Sequence, residues 1–83
     1  MMIKKAIDTY NRTRPFSEPE MKQTKLAKIL YARKIVKSPQ TALGVFHRLN
    51  TGQDKISFSM LRELHNILNI DYEQLINYFF DKN

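Results

Sequence analysis

Cysteine is absent from this chain of 83 residues, so neither a disulfide nor a thiolate-bound metal supports its fold, an absence that suits a reducing compartment. Glycine and proline are scarce, at two and three residues, too few for the many turns of an all-β domain. No apolar run is long enough to span a membrane, and the opening MMIKKAIDTY lacks the apolar stretch of a secretion signal. The expectation is a soluble cytoplasmic protein. Catalytic patterns are missing too: there is no glycine-rich phosphate loop, no nucleophile elbow and no close pair of carboxylates. His47 and His65 fall on separate predicted helices without acidic or cysteine companions, which fits surface or packed histidines better than metal ligands. The chain is therefore expected not to be an enzyme, and to carry no cofactor, no metal and no evident small-molecule ligand.

What the first 52 residues have little of is acid. They hold eleven Lys or Arg against Asp8, Glu18 and Glu20, whereas residues 53–83 hold Lys55, Arg62 and Lys82 against five acids. The net charge of +6 thus divides into a half at +8 and a half at −2. A basic half joined to a mildly acidic one offers an electrostatic face to a polyanion, although a solvated lysine-rich surface has the same composition. Hydrophobic content of 42% with 27% charged residues is that of a folded protein. The length allows one domain with a single small core.

Capping chemistry marks four helix starts. Ser17 precedes Glu20 by three residues in SEPE, a capping box with Pro19 in the first turn. Ser38 precedes Pro39, which needs no amide partner at a first helical position. Ser57 caps a segment whose Phe58, Leu61, Leu64 and Leu68 recur at helical spacing. Asp71 followed by Gln74 is another box-like start, with Leu75, Ile76 and Phe79 on one face. An opening helix of roughly Ile3 to Tyr10 aligns Ile3, Ala6, Ile7 and Tyr10. The stops are NRTRPF, VKSP, Gly52 in LNTGQ, and LNID. Between the first two stops, Met21 to Val36 reads as one helix with apolar residues spread around it. No period-2 alternation survives, so the prediction is an all-α fold of five helices.

A helix-turn-helix needs a small residue where its helices cross, a tight turn, and apolar anchors on the second helix. Taking Lys28 to Ile35 as the end of a supporting helix and Val36-Lys37-Ser38 as the turn puts Ala32 at the crossing. Ile35, Ala42 and Val45 then point inward. ARKIVKSPQTALGV resembles the helix-turn-helix of lambda-repressor-like (XRE/Cro family) DNA-binding domains, which often show Ala, a turn ending in Ser, two residues, Thr and an apolar residue. GQDKISFSMLRELHNILNIDYEQLINYF resembles the tail of the same domain, with its glycine loop, Ser-capped leucine-rich helix, LNI-like turn and short last helix. The likeness covers roughly residues 20–80. Three departures stand beside it: Val36 where the family commonly has glycine, an extra helical turn at FHRL, and a longer supporting helix with another helix ahead of it.

The resemblance implies a compact five-helix lambda-repressor-like domain over 1–83, with an N-terminal helix and loop at 1–16, the helix-turn-helix at 17–52 and a C-terminal helical pair at 53–83. It implies double-stranded DNA as the partner and a recognition helix whose front enters the major groove. Ser38, Gln40, Thr41, Leu43, Gly44 and His47 become the base-facing set. Gln40 is suited to adenine, Thr41 to base or phosphate, and Leu43 to a thymine methyl. Gly44 would let the backbone approach closely, at about 1 kcal/mol relative to alanine in a helix interior. Lys28, Arg33, Lys34, Lys37 and Arg48 become the phosphate set, with Lys22 and Lys25 as further cations and Arg12 and Arg14 on a loop. Plainer readings exist: Gln40 and Thr41 as first-turn polar residues, and Gly44 as relief of crowding between helices.

The ending NYFF carries more apolar surface than one core-facing stripe can bury. Tyr72, Ile76, Phe79 and Phe80 are therefore expected to form a homodimer surface, with Tyr78 and Phe80 folded over the first helix as the other possibility. The function expected is a sequence-specific transcriptional regulator, a repressor acting as a homodimer on an inverted-repeat operator. The alternative is a protein-interaction module on the same fold, such as an antitoxin, an antirepressor or a phage-encoded inhibitor.

Overall fold

The computed structural model of the chain describes residues 2–52 and 55–80, and every regular element among them is helical. Five helices follow in order: α1 Met2–Thr13, α2 Gln23–Ala32, α3 Pro39–Asn50, α4 Phe58–Leu68 and α5 Tyr72–Phe80. Residues 53, 54 and 81–83, which the sequence assigns to the C-terminal pair, lie outside the described residues. None of the described helices is long and apolar enough to cross a membrane.

Two of the predicted caps form. Ser38 Oγ accepts the Thr41 amide hydrogen at 3.2 Å, and Ser57 Oγ accepts that of Met60 at 3.2 Å. Each satisfies a first-turn donor that has no intrahelical partner. Gly52 takes the left-handed conformation expected after α3, at φ 77, and Asn69 takes it after α4, at φ 54. At α5 the Asp71 carbonyl accepts the Leu75 amide at 3.0 Å. Gln74, expected to close a box with Asp71, instead donates to Tyr78 Oη at 2.8 Å.

Helix α2 departs from expectation at both ends. It does not start at a Ser17–Glu20 box; residues 14–22 are irregular, and Lys22 stands at the N-cap without a side-chain cap bond. The physical reason lies on α1. Asn11 accepts the Met21 amide at 2.7 Å and donates to the Met21 carbonyl at 3.0 Å. Both backbone groups of Met21 are thereby taken by a side chain, its own side chain enters the core, and the next residue stays extended. The helix begins only after that anchor.

At its other end α2 stops at Ala32, not Val36. Lys34 turns left-handed at φ 63, its amide donates to the Tyr31 carbonyl at 3.0 Å, and the Ile35 amide donates to the Leu30 carbonyl at 3.0 Å. That pair of bonds is a Schellman motif, usually built on glycine. The connection to α3 therefore runs over residues 33–38 instead of the predicted Val36-Lys37-Ser38. Ala32, placed by the sequence at a helix crossing, is exposed. The small buried residues of these two helices are Ala27 and Ala42, whose methyl groups let neighbouring helices approach closely.

Helix α1 touches all four of the others, and α2 with α3 makes the most extensive contact between any two helices. Ile3, Ala6 and Ile7 of α1 enter a core with Leu26, Leu30, Phe46, Leu49, Leu64 and Leu75. The free amide of Ile3 near the start of α1 donates to Asn50 Oδ1 at 3.1 Å, at the end of α3. Thr9, buried on α1, shares a hydrogen with Tyr78 Oη at 2.7 Å and so fixes where α5 docks. The radius of gyration, 12.0 Å, equals the ~12 Å of a folded chain of this length.

Candidate functional site

The buried side of α3 consists of Ala42, Phe46 and Leu49, with Val45 partly buried beside them. At 3.6 residues per turn this burial rotates Gln40, Gly44, His47 and Thr51 to the opposite, outward side. Gln40, Thr41, His47, Arg48 and Thr51 are exposed. The outward side is thus polar and basic. No acid occurs anywhere from Met21 to Gly52, so nothing there offsets the positive end of the α3 dipole.

The six base-facing residues named from sequence do not all stand alike. Gln40 and His47 are exposed with Gly44 between them on one stripe. Thr41 is exposed too, but its hydroxyl lies 3.0 Å from Ser38 Oγ, and the two share a hydrogen. Ser38 is half-buried and occupied with capping. Leu43 packs partly against the core, which leaves only part of its side chain outward. A methyl group added at Gly44 would meet only Arg48 Nη1, at 3.6 Å. That is ordinary contact, so this glycine relieves no crowding between helices.

The cations divide similarly. Lys28 lies on the solvent side of α2, while Lys34 and Lys37 are exposed on the 33–38 connection. Arg48 on α3 reaches back over Gly44. Lys37 and Thr41 line the same cleft beside the first turn of α3. Arg33 has a different commitment: its Nε donates to Glu63 Oε1 of α4 at 2.5 Å. Glu63 is nearly buried while the Arg33 side chain remains about half exposed, at 46%. The pair fastens the end of α2 to α4 and neutralises Glu63, an acid of the other half. Arg12, expected on a loop, belongs to the last turn of α1 and donates to Thr9 Oγ1 at 3.3 Å.

A second surface lies on α5. Tyr72, Ile76 and Phe80, spaced by four, are exposed at 36%, 43% and 45%. Phe79 is not part of it. The sequence groups Phe79 with the dimer residues, but it is buried with Leu75, four residues earlier on the core side. Tyr78 does fold over α1, through Thr9, while Phe80 remains exposed. His65 of α4 stacks on Tyr72 with centroids 4.0 Å apart, and its Nδ1 lies 2.7 Å from the Ile70 carbonyl. The exposed Phe58 at the start of α4 adds further apolar surface to the C-terminal half.

Two contributors were not singled out from sequence. Thr51 continues the Gln40, Gly44, His47 stripe, a signal present in its 4-3-4 spacing. Lys55 meets Lys37 at the shared cleft, and no local pattern in the sequence pairs them. Comparison of the chain with protein-family models, curated proteins and solved structures found no match. The functional reading therefore rests on side-chain chemistry and placement.

Proposed function

We propose that the protein is a sequence-specific DNA-binding regulator, with α2 and α3 as a helix-turn-helix and α3 as the helix that enters the major groove. The observation that carries this reading is the outward side of α3: a serine-capped helix start, a polar stripe, and basic residues on both flanks with no acid among them. Gln40 supplies the bidentate donor and acceptor that suit adenine, and His47 and Thr41 reach neighbouring edges or phosphates. Gly44 leaves the middle of the stripe without a side chain, so that a sugar-phosphate wall can approach the helix. Lys28, Lys34, Lys37 and Arg48 serve the phosphates. Arg33 contributes less to phosphate than the sequence suggests, because Glu63 already holds it.

Lys34 supports the same reading from another side. A lysine in a left-handed Schellman position costs roughly 1 kcal/mol relative to glycine. A non-glycine residue kept in such a conformation draws attention to the side chain it presents. Here that is a cation beside the recognition helix.

The exposed Tyr72, Ile76 and Phe80 stripe fits a homodimer joined through α5, and the regulator is a repressor on an inverted repeat. Two recognition helices would then lie about one DNA turn, roughly 34 Å, apart. The test is selection of duplexes bound from a random pool at low salt. Enrichment of a palindrome with half-sites one turn apart is the expected result; a pool that stays random overturns the reading. A second reading, a module that binds another protein, draws on Phe16 and Phe58, which are fully and largely exposed outside the α5 stripe. It predicts a stoichiometric protein complex that forms without DNA.

A further inference from the structure

Between the 33–38 connection, the flank of α3 and the segment leading into α4 lies an open cleft of about 400 Å³. Its floor is apolar, made by Ile35, Val36, Val45, Leu49, Ile56 and Met60. Its polar members are lysines and hydroxyls: Lys37 from one wall, Lys55 from the other, with Thr41, Ser57 and Ser59 between. Both lysines are exposed, and no carboxylate is among the described residues that line the cleft. The α4 helix starts at this rim, with no acid in its first turn to oppose an incoming negative charge. The volume falls near the lower end of the roughly 300–1,000 Å³ typical of small-ligand sites.

Each property narrows the occupant. An apolar floor disfavours inorganic phosphate or another fully hydrated ion, which would lose water without gaining partners. Two lysines with no carboxylate among the described lining residues disfavour a neutral hydrocarbon. What satisfies both is a short apolar body ending in one anionic head. We propose that the cleft binds a small amphipathic carboxylate, an alkanoate of about eight carbons, with its tail on the Val45–Ile56–Met60 floor and its carboxylate between Lys37 and Lys55.

The site has a consequence for DNA that rests on the reading above. Lys37 serves both ligands, so occupation of the cleft withdraws one phosphate contact. Linkage requires the effect to be mutual: the factor by which the alkanoate weakens DNA is the factor by which DNA weakens the alkanoate. The basic domain would in this way answer to a metabolite through its own cleft.

The experiment titrates the full chain with sodium octanoate, without DNA, and follows backbone amide shifts. The expected result is saturable movement centred on Ile35, Val36, Lys37, Ile56 and Met60, with a dissociation constant of about a millimolar for so small a ligand. Neutral octanamide is expected to bind about tenfold more weakly, and Lys55→Ala to weaken octanoate by about tenfold with an unchanged melting curve. Absence of shifts at about 10 mM octanoate overturns the site. So does equal binding of octanamide, or wild-type affinity in Lys55→Ala. Binding of an acidic amphipathic peptide at these amides with no response to octanoate overturns it in favour of a protein ligand. A separate titration with the selected duplex reads the coupling. Octanoate is expected to lower DNA affinity about threefold per protomer and to reduce the salt slope by about one for each protomer bound. Octanoate binding with unaltered DNA affinity overturns the coupling alone, and failure to find any duplex leaves the octanoate result standing.

Discussion

Helices α3 and α5 expose surfaces of opposite chemistry. The outward side of α3 carries Gln40, Thr41, His47 and Arg48, while that of α5 carries Tyr72, Ile76 and Phe80. A polar, basic surface keeps its water until a polyanion displaces it, whereas an exposed apolar stripe gains most from covering by another apolar surface. On the proposed reading, the two halves of the chain divide two tasks between them. One surface suits a charged, regular partner, and the other suits a second protein surface.

The comparison can be broken most forcefully at α5, where neighbouring phenylalanines face opposite ways. Phe79→Ala is expected to cost about 3–5 kcal/mol of folding stability, and Phe80→Ala less than about 0.5 kcal/mol when measured on the monomer. Urea unfolding at low protein concentration reads both; equal costs would mean that the orientation of α5 is wrong. Ile76→Asp is expected to raise the dimer dissociation constant at least about a hundredfold, because each protomer then brings a carboxylate to an apolar contact. Sedimentation against concentration reads it, and an unchanged mass distribution removes α5 from self-association.

On the α3 side, four cations on phosphates in each protomer predict that raising salt from about 50 to about 200 mM weakens DNA binding by about a hundredfold per protomer, about ten-thousandfold for the dimer. A flat salt response removes the polyanion from the picture. Gln40→Ala is expected to relax preference at a single base pair by about 1–3 kcal/mol, while Lys37→Ala weakens all duplexes alike. Competition binding on single-base variants of the selected duplex separates the two. The smallest effects are the sharpest in sign. Gly44→Ala and Lys34→Gly are each expected to raise stability by about 1 kcal/mol in thermal or urea unfolding, since one fills an uncrowded helix interior and the other relieves a left-handed lysine. Both are expected to weaken DNA, so a gain in stability without loss of binding would show those residues to be incidental.

What the sequence makes legible is local. Ser38 and Ser57 work as caps because a hydroxyl and the amide three residues on need nothing else, and Gly52 works because its own backbone permits the turn. The Ser17–Glu20 box fails because Asn11, ten residues before Met21, holds that backbone extended, a contact that lies outside the four-residue box itself. Phe79 and Phe80 cannot be told apart by composition. Their sides are set when Tyr78 meets Thr9, at the other end of the chain. Lys34 gives no warning of its conformation, because turn signals are written in glycine and asparagine. At the candidate interface the helix and its outward residues are readable from spacing, while the tie of Arg33 to Glu63 is not, because that partner lies on α4. Lys37 and Lys55 are joined only by the fold.

The tie between Arg33 and Glu63 has a geometric result. It runs from the end of α2 to the middle of α4, so it stiffens the joint between the helices proposed to read DNA and the half that carries the apolar stripe. In a dimer joined through α5, such stiffness turns the molecule into a caliper whose jaws open to one width. Glu63→Gln would loosen the joint and let the pair grip half-sites at several spacings.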